Sequence, residues 1–216
     1  MSSTITVIGS TGLIGLEFLS QITEGEYQKV NAITRRQITS LSGKPFIHQA
    51  VHNFEDLESM RGELKSDVLV CTLGTTIKTA GSQERFIEID HDIPLALAKI
   101  AHEEGCNTFI LVSSMGADAN SSIFYSRVKG QLEEALKAVG FPRLHILRPS
   151  ILLGDRQESR PGEFVGKLIM QPLSFLIPWK YKPIQSSTLA AKIHEIIADG
   201  ETGTRTWSGK ELFYKN

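Results

Sequence analysis

The stretch Thr4-Ile5-Thr6-Val7-Ile8-Gly9-Ser10-Thr11-Gly12-Leu13-Ile14-Gly15 constrains this chain more than any other. An apolar run ends in a glycine-rich turn, and a helical pattern through Leu16, Leu19 and Ile22 follows at once. Gly9 lets a strand turn sharply, Gly12 lets backbone approach a pyrophosphate, and Gly15 lets the new helix pack closely on a sheet. The free N–H groups at that helix start, together with its dipole, favour a phosphate. The spacing is GxxGxxG, a variant of the commoner GxGxxG dinucleotide turn. A strand–glycine–helix junction can also be purely structural, so the rest of the chain has to supply the context.

That context is an alternation of strand and helix patterns. Val30–Thr34, Phe46–Val51, Asp67–Leu73, Thr108–Val112 and Leu144–Leu147 read as further strands. Helical patterns cover Leu13–Thr23, a short piece near Asp56–Arg61, Ile93–Glu104 and Ser122–Val139. Nearly continuous apolar strands between helices predict a parallel sheet covered on both faces, the doubly wound α/β arrangement, with ligand at the carboxyl ends of the strands. After Pro149 the rhythm breaks into a Gly/Pro-punctuated segment, and a last helix near Ser187–Asp199 and a short strand around Arg205-Thr206-Trp207 follow. With 216 residues and no linker or repeat, one domain over 1–216 is expected, with 150–185 as a reduced substrate or lid segment within it.

Composition narrows the function classes. A formal net charge of −1 argues against a nucleic-acid surface, which would need a basic stripe. Leu168–Trp179, the longest apolar stretch, holds Gln171, Pro172 and Pro178 and is too short to span a bilayer. Cys71 and Cys106 have neither metal-knuckle nor redox-pair spacing, and the six histidines show no ligand spacing, so no metal is expected. With no apolar signal at the N-terminus, these features predict a cytoplasmic protein.

Several residues carry candidate chemistry. Arg35 and Arg36 follow the second strand, where an acidic residue would bind the ribose 2′-hydroxyl of NAD and arginine accommodates the 2′-phosphate of NADP. Their forked donors suit phosphate, so NADP(H) is expected over NAD(H). Asn53 and Phe54 follow the third strand, where they can border an adenine or simply mark a helix boundary. Leu73-Gly74-Thr75 ends the fourth strand, where a glycine and hydroxyls can line a ribose with little steric demand. Ser113 and Ser114 close the fifth strand, and Tyr125 and Lys129 follow at YxxxK spacing on one helix face. The lysine ammonium favours the phenolate form of the tyrosine, which can then exchange a proton with a carbonyl or alcohol oxygen held by a serine hydroxyl. A strand alternates its side chains, so one of the two serines faces the cleft; Ser114 is preferred, with Ser113 left open.

These motifs together resemble the short-chain dehydrogenase/reductase superfamily, through Gly9–Gly15, Ser113-Ser114, Tyr125–Lys129 and Arg148-Pro149. More narrowly, the chain is similar to the atypical branch containing the HIV Tat-interacting-protein oxidoreductase and its small bacterial relatives. That likeness is carried by Cys71–Thr76, Ser113–Asp118, Tyr125–Gly130 and the unusual block Asp155–Glu163. The resemblance implies NADPH binding through Thr11–Ile14, Arg35, Arg36, Gly74, Thr75, Tyr125, Lys129, Leu152 and Arg160, with Tyr125 as proton donor or acceptor. One departure is Asp90, which stands about where many relatives carry an asparagine. The chain is also much shorter than the extended members that have a full substrate domain.

The expectation is an NADP(H)-dependent oxidoreductase acting on a small carbonyl or alcohol. The rival is an NADPH-binding regulatory or redox-sensing protein with little turnover. A weaker third reading, an epimerase or dehydratase, is disfavoured for nucleotide sugars by the short pocket. A homodimer or a protein partner is left open.

Overall fold

β1 (Thr4–Ile8) is buried over its last four residues and lies within a parallel sheet in the computed structural model, which describes residues 3–154 and 178–213. The further strands of that sheet are β2 (Lys29–Thr34), β3 (Ile47–Val51), β4 (Val68–Cys71), β5 (Thr108–Val112), β6 (Arg143–Arg148) and β9 (Gly203–Ser208). Their spatial order is β3-β2-β1-β4-β5-β6-β9, every neighbouring pair parallel. Ile5 sits beside Val30 on one side and Val68 on the other, so the strand order reverses between β1 and β4. A crevice opens above the carboxyl ends of strands at such a reversal.

The two-residue side-chain period sorts the strands' apolar residues onto two faces. Val7, Val70 and Ile110 meet Phe18 and Leu19 of α1 (Leu13–Gln21) and Leu189 and Ile193 of α7 (Ser186–Asp199). Ile8, Leu69 and Phe109 meet the other layer: Leu64 of α2 (Arg61–Leu64), Leu97 of α5 (Ile93–Glu103), and Leu132 and Leu136 of α6 (Phe124–Val139). Full burial of a side chain such as Phe18 stabilises the fold by about 1.5–3 kcal/mol. Among the described residues this is the expected doubly wound sheet.

Three differences from the sequence reading have local causes. The fourth strand stops at Cys71, because Thr72 and Leu73 leave the ladder to wall the glycine turn. The region before α5 contains two short helices, α3 (Ile77–Ala80) and α4 (Gln83–Ile87), which were not expected. They are too short to display a helical period and are defined by their ends. Thr76 and Ser82 accept hydrogen bonds from the amides of Thr79 and Arg85, each at 3.1 Å, and Gly81 closes α3 at φ +87°. A π-helical turn, Glu88–Asp92, then joins α4 to α5. Within the expected lid segment, β7 (Leu152–Leu153) pairs in parallel with β8 (Ile184–Gln185). The block Asp155–Glu163, Arg160 included, and the apolar residues Phe164 to Ile177 lie outside the described residues.

Candidate active site

The glycine turn is built to bring backbone close to a ligand. Gly9 has φ +82°, and a Cβ there would stand 2.6 Å from the Thr72 carbonyl carbon. A Cβ on Gly15 would come within 2.4 Å of the Gly9 oxygen, so α1 sits directly on the turn. The Thr72 hydroxyl donates to the carbonyls of Ile8 (3.0 Å) and Gly9 (3.1 Å) and locks the turn to β4. At the start of α1, Gly12 is the cap, no side chain accepts from the free amides, and the first turn holds no carboxylate. An uncapped, Cβ-free and uncharged helix start is what a pyrophosphate needs, so the residues present fit a dinucleotide. The flanking side chains belong to the fold: the Ser10 hydroxyl donates to Val7 O at 2.9 Å, and Ile14 is core. Thr11 is exposed, and Leu13 packs where a Cβ on Gly154 would clash at 2.7 Å. Leu152 is half-buried on the same core layer.

Arg35 and Arg36 are exposed just past β2, and neither guanidinium has a partner among the described residues. Asn53 is exposed, its amide bound to Glu55 (2.7 Å), and Phe54 holds φ +65°, a left-handed conformation unusual for a bulky residue. The Asn53 side chain thus closes its own turn, while Phe54 is half-buried against the α2 layer.

The two serines part as strand alternation requires. Ser113 is buried and donates to Glu133 Oε1 at 2.5 Å. Glu133, on α6 and fully buried, also binds the Arg148 guanidinium, with Nε 3.1 Å from both carboxylate oxygens. The Ser114 hydroxyl is buried without a hydrogen-bond partner among the described residues. It begins the loop on which α6 lies. A Cβ on Gly130 would fall 2.1 Å from Ala119 N and 2.2 Å from Asp118 C, so glycine is the residue that lets α6 approach. Tyr125 is half-buried in the first turn of α6, its ring 5.6 Å from that of buried Phe86.

One turn on, Lys129 is buried with its ammonium 2.8 Å from Asp90 Oδ1. Asp90 is itself fully buried, and its Oδ2 accepts from the Thr75 amide at 2.8 Å. A Cβ on Gly74 would rest 3.6 Å from both members of this ion pair. Burial pushes the Lys129 ammonium down, but Asp90, with help from Tyr125, outweighs it and holds the group above the ordinary lysine range. Cys71, beneath the pair, is pushed up to about 11 by burial. Glu133, Arg148, Phe86 and Thr72 were not singled out as site residues from the sequence. Thr72 and Arg148 do fall inside the quoted motifs, as does Gly130, and that was the available signal.

Comparison with known proteins places this architecture. The HIM1 family model matches residues 48–179. The chain belongs to the HIM1 family. A relative named "Protein fmp52, mitochondrial" from Emericella nidulans is 37% identical over 169 residues, 76% of this chain and 72% of that one. "Protein HTATIP2" of Rattus norvegicus is 37% identical over 169 residues, 77% of this chain and 69% of its own. Among solved structures, the UDP-Glc/GlcNAc 4-epimerase of Campylobacter jejuni superposes with TM-score 0.74 at 14% identity, covering 98% of this chain and 82% of that one. The Bordetella bronchiseptica enzyme WbmG, in complex with NAD and UDP, gives TM-score 0.72 at 15% identity, covering 96% and 73%. At such identity the likeness concerns the fold alone, the parallel doubly wound sheet described above. The expected cytoplasmic location is corrected by the HIM1 relatives, since several fungal ones are named mitochondrial. Neither cysteine use nor a missing signal pattern separates one reducing compartment from another.

Proposed function

We propose that this HIM1 protein binds NADP(H) across the crevice between β1 and β4 and transfers hydride between the nicotinamide and a small carbonyl or alcohol. The observation that carries the reading is the Ser114 hydroxyl, buried and unpartnered, in the loop against which α6 sets Tyr125 and Lys129. An unpartnered buried hydroxyl costs free energy unless something else accepts its hydrogen bond, and a substrate oxygen is a natural acceptor. The uncapped start of α1 would hold the pyrophosphate, and Arg35 and Arg36 the 2′-phosphate. When bound, the nicotinamide supplies or takes the hydride. Tyr125 gives the substrate oxygen a proton in reduction and takes one in oxidation. Ser114 donates to the same oxygen, and Lys129 holds positive charge beside the phenol.

The test is consumption of NADPH with a panel of aldehydes and ketones. Tyr125→Phe, which keeps the ring, is expected to lower kcat by about 10²-fold or more, a larger effect than any on NADPH affinity. Unchanged turnover in that variant would contradict the role.

A further inference from the structure

We propose that Asp90 is the positioning residue for Lys129: its buried carboxylate, set in the π-helical turn and anchored by the Thr75 amide, keeps the lysine cationic and fixes where its ammonium points. The inference rests on the oxidoreductase reading for its use in catalysis, but not for its test.

The geometry carries it. A π turn inserts an extra residue into a helix and re-aims the side chains around it. Here it brings a carboxylate to full burial between α4, α5 and α6. Each carboxylate oxygen has its own task. Oδ2 is tied to the loop that follows β4 through the Thr75 amide (2.8 Å), and Oδ1 meets Lys129 (2.8 Å). The lysine is therefore registered to the loop after β4 rather than only to its own helix. A lysine ammonium has three donors, and Asp90 takes one side of it, leaving donors for what enters the crevice.

A buried ion pair of this kind is poor as a source of stability, because desolvation offsets the attraction; its value lies in specifying a charge state and a place. The charged and titratable groups that face the pair are Tyr125 on α6 and Cys71 at the end of β4. Arg85 and Glu88 of the adjoining turns pair with each other in solvent, and half-buried His91 pairs with exposed Asp92 at 2.8 Å. Asp90 is thus the carboxylate assigned to this ammonium.

The experiment is a titration of Lys129 in full-length protein labelled with ¹³C at lysine Cε, the signal assigned with Lys129→Met. Wild-type Lys129 is expected to stay protonated beyond the ordinary lysine value of 10.5. Asp90→Asn keeps the shape and the oxygen facing Thr75 while removing the charge, so burial is opposed only by the smaller contributions of Tyr125 and Cys71. The Lys129 midpoint is then expected to fall by about 2 pH units or more. A wild-type midpoint at or below the ordinary value overturns the proposal without recourse to the variant, and so does an unchanged midpoint in folded Asp90→Asn. NADPH affinity is measured on the same samples. Absence of NADPH binding together with the expected titrations overturns the oxidoreductase reading and supports the role of Asp90.

Discussion

At the scale of single residues, the site depends on where side chains are missing as much as on where they are. Gly130 has backbone of Asp118 and Ala119 where its Cβ would be, at 2.1–2.2 Å, and backbone cannot swing aside. Gly130→Ala is expected to lose about 1–3 kcal/mol or more by overpacking, read by urea unfolding. The two adjacent serines should separate in opposite senses. Ser113→Ala removes a donor from buried Glu133 and should cost about 1–3 kcal/mol of stability while sparing turnover. Ser114→Ala removes a hydroxyl that no described residue uses, so stability should hold while kcat falls about 10²-fold. Parallel unfolding and kinetic measurements on the two variants check the split, and equal behaviour would show that the hydroxyls do not differ in role.

At the scale of elements, Glu133 ties the carboxyl ends of β5 and β6 to α6 through Ser113 and Arg148. Removing Arg148 would strand a fully buried carboxylate. Breaking such a pair costs about 3–5 kcal/mol, and partial exposure of Arg148 puts the expected loss for Arg148→Met at about 3 kcal/mol. Glu133→Gln, which keeps an acceptor for Ser113 and buries no lone charge, should cost less; chemical denaturation ranks the two. This clamp was not legible in the chain, because Glu133 stands in a charged helix and its partners lie 20 residues before and 15 after. The strands and long helices were legible, since their apolar runs report directly on which faces are buried. α3 and α4 were not, being too short to repeat a helical period; Thr76, Gly81 and Ser82 at their ends carried the local signal. Asp90 showed in the sequence as an unusual residue type at its place, but its ion pair with Lys129 came only with the π turn.

At the scale of the molecule, the far edge of the sheet is closed by β9, whose Trp207 is buried beneath Arg205 (3.7 Å) and Lys192 (4.5 Å). The Trp207 indole donates to His145 Nδ1 at 3.2 Å, so that nitrogen must be unprotonated in the native state. Burial holds the His145 imidazole below the ordinary histidine range, and His194 between α1 and α7 is shifted the same way by the same cause. The unfolded chain takes up these protons first. Stability is therefore complete above the unfolded histidine value of about 6.5 and is lost as pH falls from there toward the folded values. Thermal unfolding from pH 8 to 5 should show Tm falling below about pH 6.5, and His145→Gln should flatten that fall.

The proposed cofactor crevice lies at the reversal between β1 and β4, with Arg35 and Arg36 exposed just past β2. The most direct test is therefore a binding titration with NADPH and NADH on wild-type protein and on the Arg35→Ala/Arg36→Ala double variant. NADPH should bind more tightly than NADH to the wild type, and the difference should collapse in the variant with NADH affinity little changed. Equal affinities in the wild type, or no binding of either dinucleotide, would contradict the account.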